Sequence, residues 1–94
     1  MKPSEVLALV CDELEIAPIN LTGKRRFRCI SDARWIVSAI WRNHYGMTLE
    51  EIAARLKKDH GSICHGIKRV REAAKYDSAL SRKIERVEKR LREI

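Results

Sequence analysis

No stretch of this 94-residue chain approaches the ~20 consecutive apolar residues that a helix needs to cross a bilayer. The apolar run Val6 to Cys11 is too short for a signal peptide and is followed at once by Asp12 and Glu13. Cysteine is scarce and odd in number: Cys11, Cys29 and Cys64, with no C-x-x-C pair. That is a poor disulfide framework and fits a reducing, cytoplasmic setting. Strand signals are weak, since no run alternates apolar and polar residues with β-branched enrichment. There is no internal repeat and no low-complexity linker. Negative charge is the scarcer sign: 13 Asp and Glu stand against 20 Lys and Arg, a formal net charge of +7. Such a balance in a small chain points first to nucleic acid and next to an anionic membrane surface. The plain alternative is charge that only maintains solubility. With 45 % hydrophobic residues, the chain has the composition of a globular protein, and its length fits one domain over residues 1–94.

What remains is a succession of helices, giving an expected all-α fold: a compact bundle of about five or six helices. The first is expected over about residues 4 to 15, with Ser4 as N-cap and Val6, Leu7, Leu9, Val10 and Leu14 as its apolar stripe. Pro18 and Gly23 bracket Ile19 to Thr22, a segment long enough for one helical turn. Lys24-Arg25-Arg26-Phe27-Arg28 follows, with four cations in five residues. Unpaired buried cations are too costly for this run to be core. It reads as a solvated loop or an arm that grips phosphates. A third helix is expected from Asp32 to Tyr45, capped by Ser31, with Ala33, Ile36, Val37, Ile40 and Trp41 on one face and Gly46 at its end. Trp41 belongs to the core on this pattern, whereas Trp35 is not settled by it.

Thr48-Leu49-Glu50-Glu51 is a capping box that opens a fourth helix to Leu56. Lys57 to Gly61 turns the chain. A fifth helix starting near Asp59 or His60 is expected to carry Ile63, Cys64, Ile67, Val70 and Ala74 inward. Asp77 or Ser78 caps a last helix, about residues 78–94, whose seam is Leu80, Ile84, Val87, Leu91 and Ile94. That seam can pack on the body or on a partner helix.

Residues 48 to 75 therefore have the layout of a helix-turn-helix, in which the second helix enters the major groove N-terminus first. The residues at that end are Asp59, His60, Gly61 and Ser62, polar and short enough to approach base edges closely. Aspartate can accept from cytosine N4, serine can reach either kind of edge, and histidine can donate to a base acceptor. Lys68, Arg69 and Arg71 sit on the solvent side of the same helix, placed for phosphates. His65 is expected against the loop or a phosphate. Asp59 also reads as the N-cap of its helix, which leaves it a further acceptor site.

With these residues in order, the chain resembles the C-terminal DNA-binding domain of the bacterial replication initiator DnaA. The resemblance rests on Arg26 in a basic loop, Arg34-Trp35-Ile36 at a helix start, Leu49 to Ala53, and Asp59-His60-Gly61-Ser62-Ile63-Cys64-His65-Gly66 against the family's D-H-T-T-x-x-x-H. It implies that Arg26 enters the minor groove, that Arg34 contacts backbone and bases, and that Asp59, His60 and Ser62 read bases in the major groove. Lys24, Arg25, Arg28, Lys68 and Arg69 complete the expected DNA-binding set, with Gly61 and His65 on the recognition helix. Three departures bear on the target sequence. Gly61 stands where the family has its first Thr, Trp35 replaces a polar residue, and the turn reads Lys57-Lys58, one residue shorter and without glycines. The chain has no G-x-x-x-x-G-K-[ST], so no nucleotide or other cofactor is expected.

Competing chemistries are weaker. His60, Cys64 and His65 invite a zinc reading, but a structural site wants four ligands and the other cysteines have no partner at short spacing. Asp59, His60 and Ser62 crowd one helix start, where a hydrolytic triad is hard to build, so no catalytic residue and no enzyme activity is expected. The alternative from another class is a helical interaction module that uses the last helix to meet a second copy or another protein. The expected partner is double-stranded DNA; no membrane partner is expected.

Overall fold

The computed structural model describes residues 1–24 and 27–93, and its order is six helices. They are α1 (Pro3–Glu13), α2 (Ile19–Thr22), α3 (Arg28–Tyr45), α4 (Leu49–Leu56), α5 (His60–Tyr76) and α6 (Ser78–Arg92). No strand is present among the described residues. None of the helices is long and apolar enough to cross a membrane.

Helix α3 is the axis of the bundle. It packs against α1, α2, α4 and α5, while α6 closes the structure against α5 and α1. The Cα radius of gyration, 11.9 Å, is close to the ~12 Å that a well-packed chain of this length should have. One apolar cluster runs through the bundle, centred on Trp41, Ile36, Ile52, Leu56, Ile63 and Leu80. The Trp41 indole N–H donates to Pro3 O at 2.9 Å and the Tyr45 hydroxyl to Met1 O at 2.8 Å, so α3 holds the N-terminus of the chain in place.

Local chemistry explains most helix ends. Thr48 Oγ1 accepts from Glu51 N at 3.1 Å while Thr48 N donates to Glu51 Oε1 at 3.2 Å, the reciprocal box expected from the sequence. Gly46 caps α3 at φ 62°, in the left-handed region where glycine carries no Cβ penalty. Asp59 and Asp77 cap α5 and α6 through Ser62 N at 2.7 Å and Leu80 N at 3.1 Å.

Two starts differ from expectation. Helix α1 begins at Pro3, with Lys2 rather than Ser4 as the capping residue, because proline fits the first helical position and Glu5 reaches back to Lys2 N at 3.3 Å. Helix α3 begins one turn before Ser31. Ile30, 4 % exposed, extends its apolar stripe backwards, so Ser31 lies inside the helix instead of capping it, and Asp32 beside it is a buried carboxylate paired with Lys83 Nζ at 2.9 Å.

The seam of α6 faces the body. Leu80 and Val87 are fully buried, and Ile84 and Leu91 are packed against the core; Ile94 lies outside the described residues. Arg86 bonds both the Glu13 carboxylate and its carbonyl at 2.9–3.0 Å, and Arg90 reaches Asp12 at 2.7 Å, fastening α6 to α1.

Candidate nucleic-acid interface

Helix α5 is divided lengthwise. Ile63, Gly66, Ile67 and Ala73 are buried. His60, Gly61, Cys64, His65, Lys68, Arg69 and Arg71 are exposed, with Ser62 half-buried between the two sides. Cys64 and Ala74, expected inward, both face solvent. At about 100° per residue, each lies one step round the helix from a buried neighbour, Ile63 and Ala73. The inner face runs instead through Gly66, whose missing side chain makes room for Trp35. A Cβ at Gly66 would stand 2.2 Å from Trp35 Cδ2 and Cε3. Trp35, unsettled by the sequence, thus sets how closely α5 seats on α3.

The turn between α4 and α5 is three residues, Lys57 to Asp59, with Lys57 in the left-handed region at φ 55°. It brings Lys58 against the start of the basic arm, where Lys58 Nζ donates to Gly23 O at 2.6 Å. Lys24 is exposed; Arg25 and Arg26, the centre of the expected arm, lie outside the described residues. Arg28 is the first residue of α3 rather than part of a loop. Its exposed guanidinium pairs with Asp77, and its Nε lies 3.6 Å from Asp32. Arg69 reaches the same Asp77 oxygen at 3.4 Å. The Asp77 carboxyl is held below the usual carboxylate range, first by the Leu80 N–H it accepts and then by these two arginines, against a partial desolvation that works the other way.

Arg34 is placed differently from what the resemblance implies. It is 3 % exposed, so in this conformation it offers a duplex almost no surface. Its Nε donates to Leu21 O at 2.9 Å, and its Nη2 lies 3.2 Å from Asn20 O and 3.4 Å from Gly23 O. These carbonyls end the one-turn helix α2 and have no helical partner of their own, so a buried cation is well matched to them. Gly23 O therefore takes bonds from Arg34 and from Lys58, one on α3 and one in the turn before the recognition helix. Sequence reasoning missed this role of Lys58. It also missed Cys64, in the middle of the exposed face of α5. Among the described residues, no three His, Cys, Asp or Glu side chains come together as a metal site.

Two helices joined by a three-residue turn, the second presenting a polar and cationic face, define a helix-turn-helix module within an all-helical fold. The family model described as the bacterial dnaA protein helix-turn-helix matches residues 3–70, and the chain belongs to that family. It is similar to chromosomal replication initiator proteins DnaA. It is 31 % identical over 88 residues, 93 % of this chain, to that of Campylobacter jejuni subsp. doylei. It is 33 % identical over 94 residues, 99 % of this chain, to that of Thermomicrobium roseum. With the relative from Gloeobacter violaceus the identity is 30 % over 87 residues, 92 % of this chain. The chain spans about a fifth of the length of each of these relatives.

Proposed function

We propose that this chain binds double-stranded DNA with sequence preference, laying α5 in the major groove and the basic arm along the backbone and minor groove. It acts by binding rather than by catalysis, at sites like the DnaA box, in the regulation of replication or transcription in the cytoplasm. The observation that carries this reading is the outer face of α5. Its exposed residues run from His60 to Arg71, with Ser62 half-buried at the edge, starting with residues able to read base edges and continuing into cations placed for phosphates. Gly23 is held beside the turn by Arg34 and Lys58, and the exposed Lys24 that follows it adds positive charge there, with Arg25 and Arg26 next in the sequence. In this arrangement Asp59, His60, Gly61 and Ser62 form the reading end. Arg34 and Lys58 act beneath it by fixing where the arm begins.

The test is an anisotropy titration of a duplex containing TTATNCACA and of a scrambled duplex, each at two salt concentrations. Tighter binding to the first supports base readout through α5. Equal, salt-sensitive binding keeps the duplex-binding role but overturns the box as the target. No binding to either at low salt overturns the reading.

A further inference from the structure

Two of the arginines on the DNA-facing surface are already engaged. Arg28, at the foot of the basic arm, and Arg69, on α5, both place an Nη2 on the same oxygen of Asp77, which joins α5 to α6. The other Asp77 oxygen caps α6. Arg28 is drawn further inward by Asp32, whose carboxylate also holds Lys83. Yet the two arginine side chains are 60 % and 46 % exposed, against 17 % for Asp77. A duplex can reach the guanidiniums while the carboxylate stays behind them.

A phosphate and a carboxylate attract an arginine in the same way, by negative charge and by oxygens that accept its N–H donors. Asp77 is therefore an internal stand-in for the DNA backbone. We infer that Asp77 sets the chain's affinity for duplex DNA by holding Arg28 and Arg69 in internal ion pairs that a backbone phosphate must compete with. This rests on the duplex-binding role proposed above and adds to it a residue outside the reading helix's first turns. Arg69 lies nine residues beyond His60, about 14 Å along the helix axis and about half a turn round it, at the other edge of the exposed face, so it meets backbone rather than the bases that His60 reads. The competition is thus independent of sequence. It lowers affinity for preferred and scrambled duplexes by the same factor and leaves their ratio alone.

The substitution Asp77→Asn tests this, since asparagine keeps a side-chain oxygen for the α6 cap and removes the charge. Each further phosphate that an arginine neutralises steepens the salt dependence, log Kobs against log salt, by about 0.9 and tightens binding about eightfold at 0.1 M salt relative to 1 M. D77N is expected to bind both duplexes at least several-fold tighter at 0.1 M salt, with a slope steeper by about one to two units and an unchanged ratio between them. Asp77→Ser, which also caps, should behave alike, and thermal melts establish that each variant is folded. Adding Arg69→Gln to D77N should remove part of the increase, whereas Arg69→Gln alone should cost less than it does in the D77N background. Parent-like or weaker binding by folded D77N and D77S, while the parent binds duplex, would overturn the inference and leave the DNA-binding role intact. Failure of the parent to bind any duplex at low salt overturns that role, and the inference with it.

Discussion

Replacing Gly66 by alanine adds one methyl group at the closest approach of α5 to α3. The added Cβ would lie 2.2 Å from two Trp35 ring atoms and 2.7 Å from a third. Carbon atoms rest at about 3.5–4.0 Å, so the overlap exceeds 1 Å. The atoms met are the near edge of a ring wedged between helices, not the tip of a flexible chain. Either the indole must rotate out of its seat or α5 must lift from α3. Overpacking of this kind costs about 1–3 kcal/mol, sometimes more. Against it stands the better helix propensity of alanine over a mid-helix glycine, about 1 kcal/mol. An overlap this large belongs at or above the upper end of the overpacking range, so we expect a net loss of about 2 kcal/mol. For a domain of this size each kcal/mol shifts Tm by about 4–8 °C, so the melt should move down by about 8–16 °C. Circular dichroism melts of Gly66→Ala, Trp35→Ala and the double variant form the assay. If the clash is the cause, the double variant should be more stable than the sum of the single losses indicates, because alanine at position 35 gives the new methyl room. A Gly66→Ala protein that melts at or above the parent would refute the reasoning, since the ring would then have yielded at negligible cost.

Other expectations test the site and its surroundings. His60→Ala should cost about 1–3 kcal/mol on the preferred duplex and reduce the preference for it over a scrambled one, read by anisotropy. Gly61→Thr should leave the melting temperature unchanged or raise it, since a Cβ there meets nothing closer than Asp59 Oδ1 at 3.5 Å and glycine is a poor helix former; it should nonetheless change the ranking of duplexes that differ at single base pairs. At pH 8 a maleimide should label Cys29 and Cys64 quickly in the folded chain and Cys11 slowly, because Cys11 is buried and its thiol is pushed up to about 11. A bound duplex should slow labelling of Cys64, and equal rates with and without DNA would place the duplex elsewhere. Asp77 has a depressed carboxyl pKa, so its charge contributes stability above the unfolded value of about 3.9 and loses that contribution as pH falls through the folded value. The deficit in melting temperature of Asp77→Asn relative to the parent should therefore be largest near neutral pH and shrink on acidification below pH 4; a deficit that is constant with pH would contradict this.

The fold was legible where apolar spacing and capping chemistry agree. Thr48 with Glu51, Gly46, Asp59 and Asp77 each mark a helix end by a mechanism that depends only on neighbours in sequence. The start of α3 was not legible, because Ser31 followed by Asp32 imitates a capped helix start, whereas Asp32 is a buried carboxylate whose partner, Lys83, lies 51 residues away. Burial of Arg34 left a signal that the resemblance overrode. It falls four residues after Ile30, three before Val37 and seven before Trp41, inside the apolar stripe of α3. A cation in that stripe must find acceptors, and the ends of α2 supply them. No local pattern shows that those acceptors are carbonyls, nor that Lys58 would meet Gly23. Both depend on how α2 folds back across the bundle.

The two glycines of α5 separate what the fold requires from what the site selects. Gly66 and Gly61 are five residues apart on one helix, yet one has no room for a methyl group and at the other a Cβ would make only an ordinary contact with Asp59 Oδ1 at 3.5 Å. At Gly66 any side chain must displace Trp35, so packing alone accounts for glycine. At Gly61 the backbone is ordinary helix and a Cβ makes only a van der Waals contact, so neither strain nor packing asks for glycine. A glycine in a helix costs about 1 kcal/mol relative to alanine. Under the duplex-binding role proposed above, the missing side chain between His60 and Ser62 shapes the surface offered to a base pair, and the target of this chain should differ most from those of its relatives at the position Gly61 faces.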